Sequence, residues 1–250
     1  MGDPQQMKKL LISGGNGKFA QQIIKFNENQ FEIWAPSKEE MDIRNKAKIE
    51  QYILKIKPDI FLHAAAITRP MVKHVKNPDL SIETNIVGTA NVVLMCMKYN
   101  IKLVYISTDY VYPGTKGNYS ENDALLPVNK YAWSKMGGEC AVMLYKNSLI
   151  LRMCMSDKPF PHPKALIDIK KSLIYNEEAA RITLQLLDQF GIINVGGKAR
   201  SVYDFAHENN PNIGKISLKE INDVNMAKDS TMNIQKMKKI LKKKGYRSSF

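Results

Sequence analysis

Residues 8–20 read Lys8-Lys9-Leu10-Leu11-Ile12-Ser13-Gly14-Gly15-Asn16-Gly17-Lys18-Phe19-Ala20, and this stretch decides the fold. The apolar run ends in a glycine cluster, and from Gly17 to Asn27 the residues Phe19, Ala20, Ile23 and Ile24 recur at helical spacing. A strand, a glycine turn and a helix in that order place the helix N–H groups where a pyrophosphate can approach the backbone closely. The spacing Gly14-x-x-Gly17-x-x-Ala20 predicts a dinucleotide held by Gly14, Asn16, Gly17, Lys18 and Phe19. A glycine cluster alone serves equally as a structural turn; its position after a first strand favours the cofactor.

Outward from this point the pattern repeats. Phe31–Ala35 reads as a second strand, Ile49, Ile53 and Ile56 mark a helix that stops before Pro58, and Asp59–Ala66 reads as a third strand. The segment Pro78–Tyr99 is expected to be one helix with Ile82, Ile86, Ala90, Val93, Leu94 and Met97 on its apolar face, followed by a fourth strand, Ile101–Ser107. A polar, turn-rich loop runs from Asp109 to Pro127, then a helix over Val128–Lys146 and a fifth strand, Ser148–Met153. Strands apolar on both faces, alternating with helices, imply a doubly wound parallel α/β sheet of the Rossmann type. Beyond it Asn176–Gln189, Val202–Asn209 and Ile234–Lys243 read as helices and Gly191–Val195 as a strand. The expected organisation is a dinucleotide-binding domain over 7–152 and a small C-terminal substrate lobe over 153–245, interleaved with it. Gly2-Asp3-Pro4 and Arg247–Phe250 are left outside the fold.

Composition narrows the function. The chain of 250 residues is 44% hydrophobic and buries a full core. It has no stretch near eighteen uninterrupted apolar residues and no export-signal pattern, so a cytoplasmic protein without a membrane partner is expected. Cys96, Cys140 and Cys154 are too scattered for a disulfide framework, and His63, His74, His162 and His207 show no ligand spacing, so no metal is expected. The net charge of +13 is spread along the chain, and the cluster Lys236–Lys244 alternates with Met237, Ile240 and Leu241 as an amphipathic closing helix does. No nucleic acid partner is expected; a general positive field suits a nucleotide diphosphate.

An acidic residue at the end of the second strand would bind the ribose 2′-hydroxyl of NAD(H). Here the chain reads Ala35-Pro36-Ser37-Lys38 with no carboxylate before Glu39. Ser37 and Lys38 either hold a 2′-phosphate or form an ordinary surface loop; the first reading favours NADP(H), with NAD(H) the alternative. Tyr131-Ala-Trp-Ser-Lys135 places a phenol and an ammonium on one helix face. A phenol of ordinary pKa about 10 is a poor acid–base group, and a nearby cation favours its phenolate. At the end of the fourth strand Thr108 either caps a turn or, from the edge where such sheets bind ligands, hydrogen-bonds a substrate carbonyl while Tyr131 moves the proton.

The ordered set GGNGKFA, HAAA (His63–Ala66), NIVGT (Asn85–Thr89), STDYVYPG (Ser107–Gly114), YAWSK (Tyr131–Lys135) and LILR (Leu149–Arg152) resembles the extended short-chain dehydrogenases. Within them the chain is similar to the dTDP-4-dehydrorhamnose reductase branch, closely over about 8–152 and loosely beyond. The resemblance implies a catalytic triad of Thr108, Tyr131 and Lys135, with Lys135 also bonding the nicotinamide ribose. It implies an adenine flanked by Asp42 and Ile43, and a cofactor lined by Ala64, Ala65 and Ala66. Asn85 is either a supporting group or a buried structural amide. The expected reaction is NADPH-dependent reduction of the C4 ketone of a nucleotide-linked 4-keto-6-deoxyhexose, as in rhamnose-like deoxysugar biosynthesis. The family resemblance also implies a homodimer paired through the helices of 78–99 and 128–146, although the sheet alone would satisfy their apolar faces.

A second likeness, through Ala66–Pro70 and Leu151–Ser172, is to plant and viral enzymes that epimerise at C3 and C5 and reduce at C4 of UDP-linked 4-keto-6-deoxyhexoses. It adds Thr68, Arg69, Asp109, Tyr110 and Lys170 as substrate-facing residues. Tyr110 stands where those enzymes carry a cysteine, and Lys170 also reads as a surface lysine. Two alternatives stay open: an epimerase/reductase or epimerase on the same scaffold, and a non-catalytic cofactor-binding regulatory subunit resembling the β subunit of methionine adenosyltransferase.

Overall fold

The computed structural model describes residues 7–221 and 225–246, so Gly2-Asp3-Pro4 and Arg247–Phe250 lie outside the described residues. In chain order the first elements are β1 (Lys9–Ser13), α1 (Lys18–Lys25), β2 (Glu32–Trp34), α2 (Lys46–Ile56), β3 (Ile60–His63), α3 (Val72–Lys76) and α4 (Pro78–Ser81). Wide π-type turns over Ile82–Gly88 lead into α5 (Thr89–Lys98), β4 (Lys102–Thr108), α6 (Lys130–Met143) and β5 (Ser148–Met153). Short strands β6 (Met155–Ser156), β7 (Lys164–Leu166), β8 (Lys170–Lys171) and β9 (Ile174–Tyr175) precede α7 (Asn176–Leu186) and β10 (Gly191–Val195). The chain ends with β11 (Arg200–Ser201), α8 (Val202–His207), β12 (Gly214–Ile216) and α9 (Gln235–Lys243).

The six-stranded sheet has the order β10-β5-β4-β3-β1-β2, and all its pairs are parallel. Its two faces follow from the period of a strand. Leu10, Ile12, Ile60, Leu62, Val104, Ile106, Leu149 and Leu151 face one core with Ala20 and Ile23 of α1 and Ala179, Ala180 and Ile182 of α7. The alternate residues Leu11, Phe61, Leu103, Tyr105 and Ile150 face the other, against Ile49, Ile53 and Ile56 of α2, Val92 and Val93 of α5, and Val142 of α6. Helices therefore cover both faces, the doubly wound arrangement expected. Strand order reverses between β1 and β3, which opens a crevice at their C-terminal ends.

Local chemistry sets the helix ends. The Asn45 side chain accepts from Lys48 N at 3.2 Å to start α2, which stops at Lys57, in the left-handed region at φ 52, before Pro58. Asn129 accepts from Ala132 N at 2.9 Å, which fixes the first turn of α6 and with it Tyr131. Beyond β5 the pieces β6/β9, β7/β12 and β8/β11 form separate two-stranded sheets, whereas β10 returns to the edge of the main sheet and α7 packs on α1.

Two expectations change. The segment Pro78–Tyr99 is not one regular amphipathic helix, because its first half winds in π turns and turns Asn85, Gly88 and Thr89 inward. Ile82, Leu94 and Met97, assigned to the buried face, are 50%, 48% and 49% exposed. On length and composition Pro78–Lys98 would pass for a membrane span, yet 44% of its apolar window is buried inside this fold. The third strand is shorter than predicted, ending at His63, and Ala64–Ala66 leave the sheet at the crevice. Cys96 and Cys154 are buried and Cys140 is exposed.

Candidate active site

The glycine loop closes the crevice from one side. Gly14 has φ +75, and a Cβ there would sit 2.9 Å from the Ala65 Cα. A Cβ on Gly15 would lie 2.0 Å from the Ala35 carbonyl oxygen, so β1, β2 and β3 converge on this turn only because both residues are glycine. Gly17 caps α1 with no side-chain acceptor, which leaves the helix N–H groups available to an anion. Lys18 Nζ bonds Asp157 at 2.6 Å, from the segment after β6, and Phe19 packs on the first core. Asn16 is exposed on the loop.

Along the opposite rim, Asp42 is held by Arg44, with Nη2 to Oδ2 at 2.6 Å, and those bonds lower its carboxyl below the ordinary range. Ile43 is buried against Gly88, where a Cβ would meet Ile43 Cδ1 at 2.8 Å. Ser37 is occupied in its own turn: its hydroxyl accepts from Glu40 N at 3.3 Å, while Lys38 is exposed. Ala64, Ala65 and Ala66 line the way in, with Ala65 N donating to Ser13 Oγ at 3.3 Å. Asn85 is fully used: it accepts from Ile67 N at 2.8 Å and donates to Ile67 O at 2.9 Å and Ser134 Oγ at 2.8 Å. Of its two readings the structural amide fits, because it ties the loop after β3 to α6.

At the C-terminal end of β4 the structure brings Thr108 and Tyr131 together. Tyr131 is 9% exposed, and the Thr108 side chain lies close enough to its phenol to favour ionisation. Burial raises the phenol's pKa well above its ordinary value; Thr108 and, more weakly, Arg69 favour the phenolate, while Asp109 and Tyr110 oppose it. The His74 ring lies 5.2 Å from that of Tyr131 and Tyr110 meets it edge-on at 6.1 Å. Lys135, one turn further along α6, is 3% exposed, and burial pushes it down to about 7 against the pull of Glu139. Its ammonium rests 4.1 Å from the centre of the Tyr105 ring, a π-face contact that sequence reasoning did not anticipate.

Asp109 departs from expectation. Asp109 is 2% exposed, accepting from Thr108 Oγ1 at 3.3 Å, Lys171 Nζ at 2.5 Å and Ser230 Oγ at 2.6 Å, so it faces a buried lysine and not an open cleft. Antiparallel pairing of β8 with β11 sends successive side chains to opposite sides. Lys171 therefore reaches Asp109, and the exposed Lys170 lines a groove of about 710 Å³ with Arg200, Ser201, Tyr203 and Lys215. Thr68 and Arg69 are exposed beside the crevice.

Sequence reasoning missed the pair under Lys135. Arg152 of β5 donates to Glu139 Oε1 through Nη2 at 2.5 Å and Nε at 3.0 Å, and Ser107 Oγ donates to Oε2 at 2.6 Å. Arg152 also bonds the Tyr112 hydroxyl at 2.9 Å. The signal was present: a lone arginine in the apolar strand SLILRM needs a buried partner, and Glu139 lies four residues beyond Lys135. No comparable signal singled out Lys171 from Lys170, or His74.

A doubly wound parallel sheet with a glycine turn after β1 and a threonine, tyrosine and lysine gathered beyond β4 defines the extended short-chain dehydrogenase class. Comparison with known proteins narrows this. The chain belongs to the family described as the RmlD substrate binding domain, whose model matches residues 7–155. It is 31% identical over 154 residues to a dTDP-4-dehydrorhamnose reductase of Aggregatibacter actinomycetemcomitans, covering 58% of this chain and 51% of that protein. It is 29% identical over 144 residues to methionine adenosyltransferase 2 subunit beta of Xenopus laevis, covering 54% and 43%. The chain thus spans about half the length of the curated relatives it matches. In fold it is similar to the crystal structure of dTDP-4-dehydrorhamnose reductase from Bacillus anthracis in complex with NADP, with a TM-score of 0.85, 24% identity, and coverage of 98% of this chain and 95% of that one.

Proposed function

We propose that the protein is an NADPH-dependent reductase of the C4 ketone of a nucleotide-linked 4-keto-6-deoxyhexose, acting in deoxysugar biosynthesis in a cytoplasmic setting. The observation that carries this is the buried cluster of Thr108 and the protonated Tyr131, with Lys135 one turn away, at the sheet edge beside the glycine loop. The residues fit a dinucleotide: the uncapped start of α1 suits a pyrophosphate, and Asp42, Ile43 and Ala64–Ala66 form the walls. When bound, the cofactor supplies the hydride. Gly14, Asn16, Gly17, Lys18 and Phe19 hold its phosphates, and the missing carboxylate at 35–38, with Lys38 nearby, favours NADP(H) over NAD(H).

The remaining chemistry belongs to side chains. Thr108 orients the ketone oxygen and Tyr131 gives that oxygen its proton, a role matched to a phenol that burial keeps protonated. Lys135, held near 7, bonds the ribose and returns a proton to the phenol. The lobe over 153–245 holds the nucleotide, with Lys170, Arg200 and Lys215 offering cations to its phosphates and Thr68, Arg69 and Tyr110 facing the sugar. A homodimer belongs to the same reading: Ile82, Leu94, Met97, Trp133 and Met143 lie about half exposed on adjoining helices and suit a second copy.

The test is NADPH oxidation with a panel of dTDP-, UDP- and GDP-4-keto-6-deoxyhexoses, with products identified by NMR. Tyr131→Phe is expected to lower kcat by about 10²–10⁴ while keeping NADPH affinity. The similarity to a methionine adenosyltransferase β subunit over the same half of the chain favours one second reading, a non-catalytic cofactor-binding subunit. Tight NADPH binding with no turnover of any ketone by the wild type selects it.

A further inference from the structure

Asp109, Lys171 and Ser230 form a buried polar cluster that the reaction above does not use. They are 2%, 4% and 0% exposed. Lys171 Nζ donates to Asp109 Oδ2 at 2.5 Å and to Ser230 Oγ at 3.1 Å, and it sits 3.6 Å from the centre of the Tyr110 ring. Ser230 Oγ donates to the same carboxylate oxygen at 2.6 Å. The other oxygen, Oδ1, accepts the Thr108 hydroxyl at 3.3 Å. That hydroxyl has one hydrogen, so Asp109 Oδ1 competes for it with the Tyr131 phenol and with the ketone oxygen. A chain of groups therefore runs from Tyr131 through Thr108 and Asp109 to Lys171. The backbone of the second lobe fixes its far end: Lys170 N donates to Lys228 O at 2.8 Å, Ser230 N to Lys170 O at 3.2 Å, and Met232 N to Ser172 Oγ at 3.0 Å.

We propose that Lys171 is a positioning residue: reaching over from the second lobe, it neutralises Asp109 and so sets the direction of the Thr108 hydroxyl and the proton affinity of the Tyr131 phenol. The inference rests on the reading of Tyr131 as proton donor. The groups facing the phenol are Arg69 from the loop after β3, His74 from α3, Tyr105 on β4, Asp109 and Tyr110 at its end, and Lys135 on its own helix. Among these Asp109 is the anion, and its charge opposes ionisation of the phenol. Lys171 stays charged despite its burial because Asp109 holds its proton, so the pair acts as a neutral unit towards Tyr131. Without the ammonium, a buried carboxylate with only the Thr108 and Ser230 hydroxyls and the buried Cys154 thiol as partners would stand one residue from Thr108.

Two readouts test this in the full-length protein. The phenol of residue 131 is titrated by NMR with ring-¹³C tyrosine, assigned against Tyr131→Phe, in the protein saturated with NADP⁺. The alkaline limb of kcat is measured for ketone reduction. Lys171→Met is expected to move both upward by about one pH unit, Lys171→Arg to leave them in place, and the double variant Lys171→Met with Asp109→Asn to restore them. A role limited to stability would lower the melting temperature in all three without moving the phenol. An unmoved midpoint in Lys171→Met, or no restoration in the double variant, overturns the proposal. Should Lys171→Met fail to fold, Asp109→Asn alone decides it: removing the carboxylate must lower the midpoint. The NMR titration needs no turnover, so absence of ketone reduction refutes the proposed function and leaves this inference to be judged by the phenol alone.

Discussion

Acid should unfold this protein through His63, and His63→Gln should blunt the effect. The ring lies at the end of β3, 1% exposed. Nε2 lies 3.0 Å from Thr89 Oγ1, whose own hydrogen goes to Asn85 O at 2.8 Å, so Nε2 carries the proton. Nδ1 is then the acceptor for the Ser13 hydroxyl at 2.8 Å, and the imidazole is neutral with both nitrogens satisfied. Burial, reinforced by Lys135, pushes its pKa from 6.5 down to about 3. Above 6.5 folded and unfolded chains both hold it neutral; between 6.5 and about 3 only the unfolded chain takes up the proton, so stability is lost as pH falls. At 1.36 kcal/mol per unit the full loss is about 5 kcal/mol, a large share of the 5–15 kcal/mol that holds a domain together. Urea unfolding measured at steps from about pH 7 to pH 4 gives the slope. His63→Gln should cost about 1–3 kcal/mol at neutral pH through its lost hydrogen bonds, yet its stability should fall less steeply, by about 1.4 kcal/mol per pH unit. Carboxylates titrate alike in both proteins and cancel. Parallel curves would refute the argument.

Two further outcomes follow from the site's scaffold. Arg152→Met leaves Glu139 buried with the Ser107 hydroxyl as its remaining partner and should lower unfolding stability by about 3–5 kcal/mol, part of which Glu139→Gln in the same chain should return; denaturant melts check both. Gly15→Ala drives a Cβ to within 2.0 Å of the Ala35 carbonyl oxygen and 2.8 Å of the Pro36 oxygen, both backbone atoms that cannot rotate away. It should cost about 3 kcal/mol, seen as a fall of about 10 °C in Tm, and weaken NADPH binding measured by fluorescence.

Most of the sheet was legible because a parallel strand buried on both faces is written as a run of apolar residues, as in Leu103–Ile106 of β4, and because a glycine turn follows the first such run. The pairing of Thr108 with Tyr131 was legible too, since one lies at a strand end and the other on the first turn of the next long helix. Fixed helical periodicity misassigned Ile82, Leu94 and Met97, because π turns shift the register without a sequence mark. Where Lys135 points was also hidden: the Tyr105 ring that receives it is 30 residues away in sequence, on a different element. The same holds for Lys171, whose partner Asp109 is 62 residues distant, and for its neighbour Lys170, which sequence cannot tell apart until strand pairing assigns each a side.

The return of β10 to the edge of the main sheet, beside β5, has a consequence for how the protein can be divided. Residues 154–190 leave and re-enter the same sheet, so they form an excursion stitched down at both ends and not an appendage after a finished domain. A fragment cut near residue 155 would keep the glycine loop, Thr108, Tyr131 and Lys135, yet bare the backbone donors and acceptors of Leu149–Met153 along an apolar margin, with α7 gone from α1. Such a margin recruits other strands. The segment that carries the family likeness is therefore not self-sufficient: it borrows its outermost strand from sequence that lies beyond it.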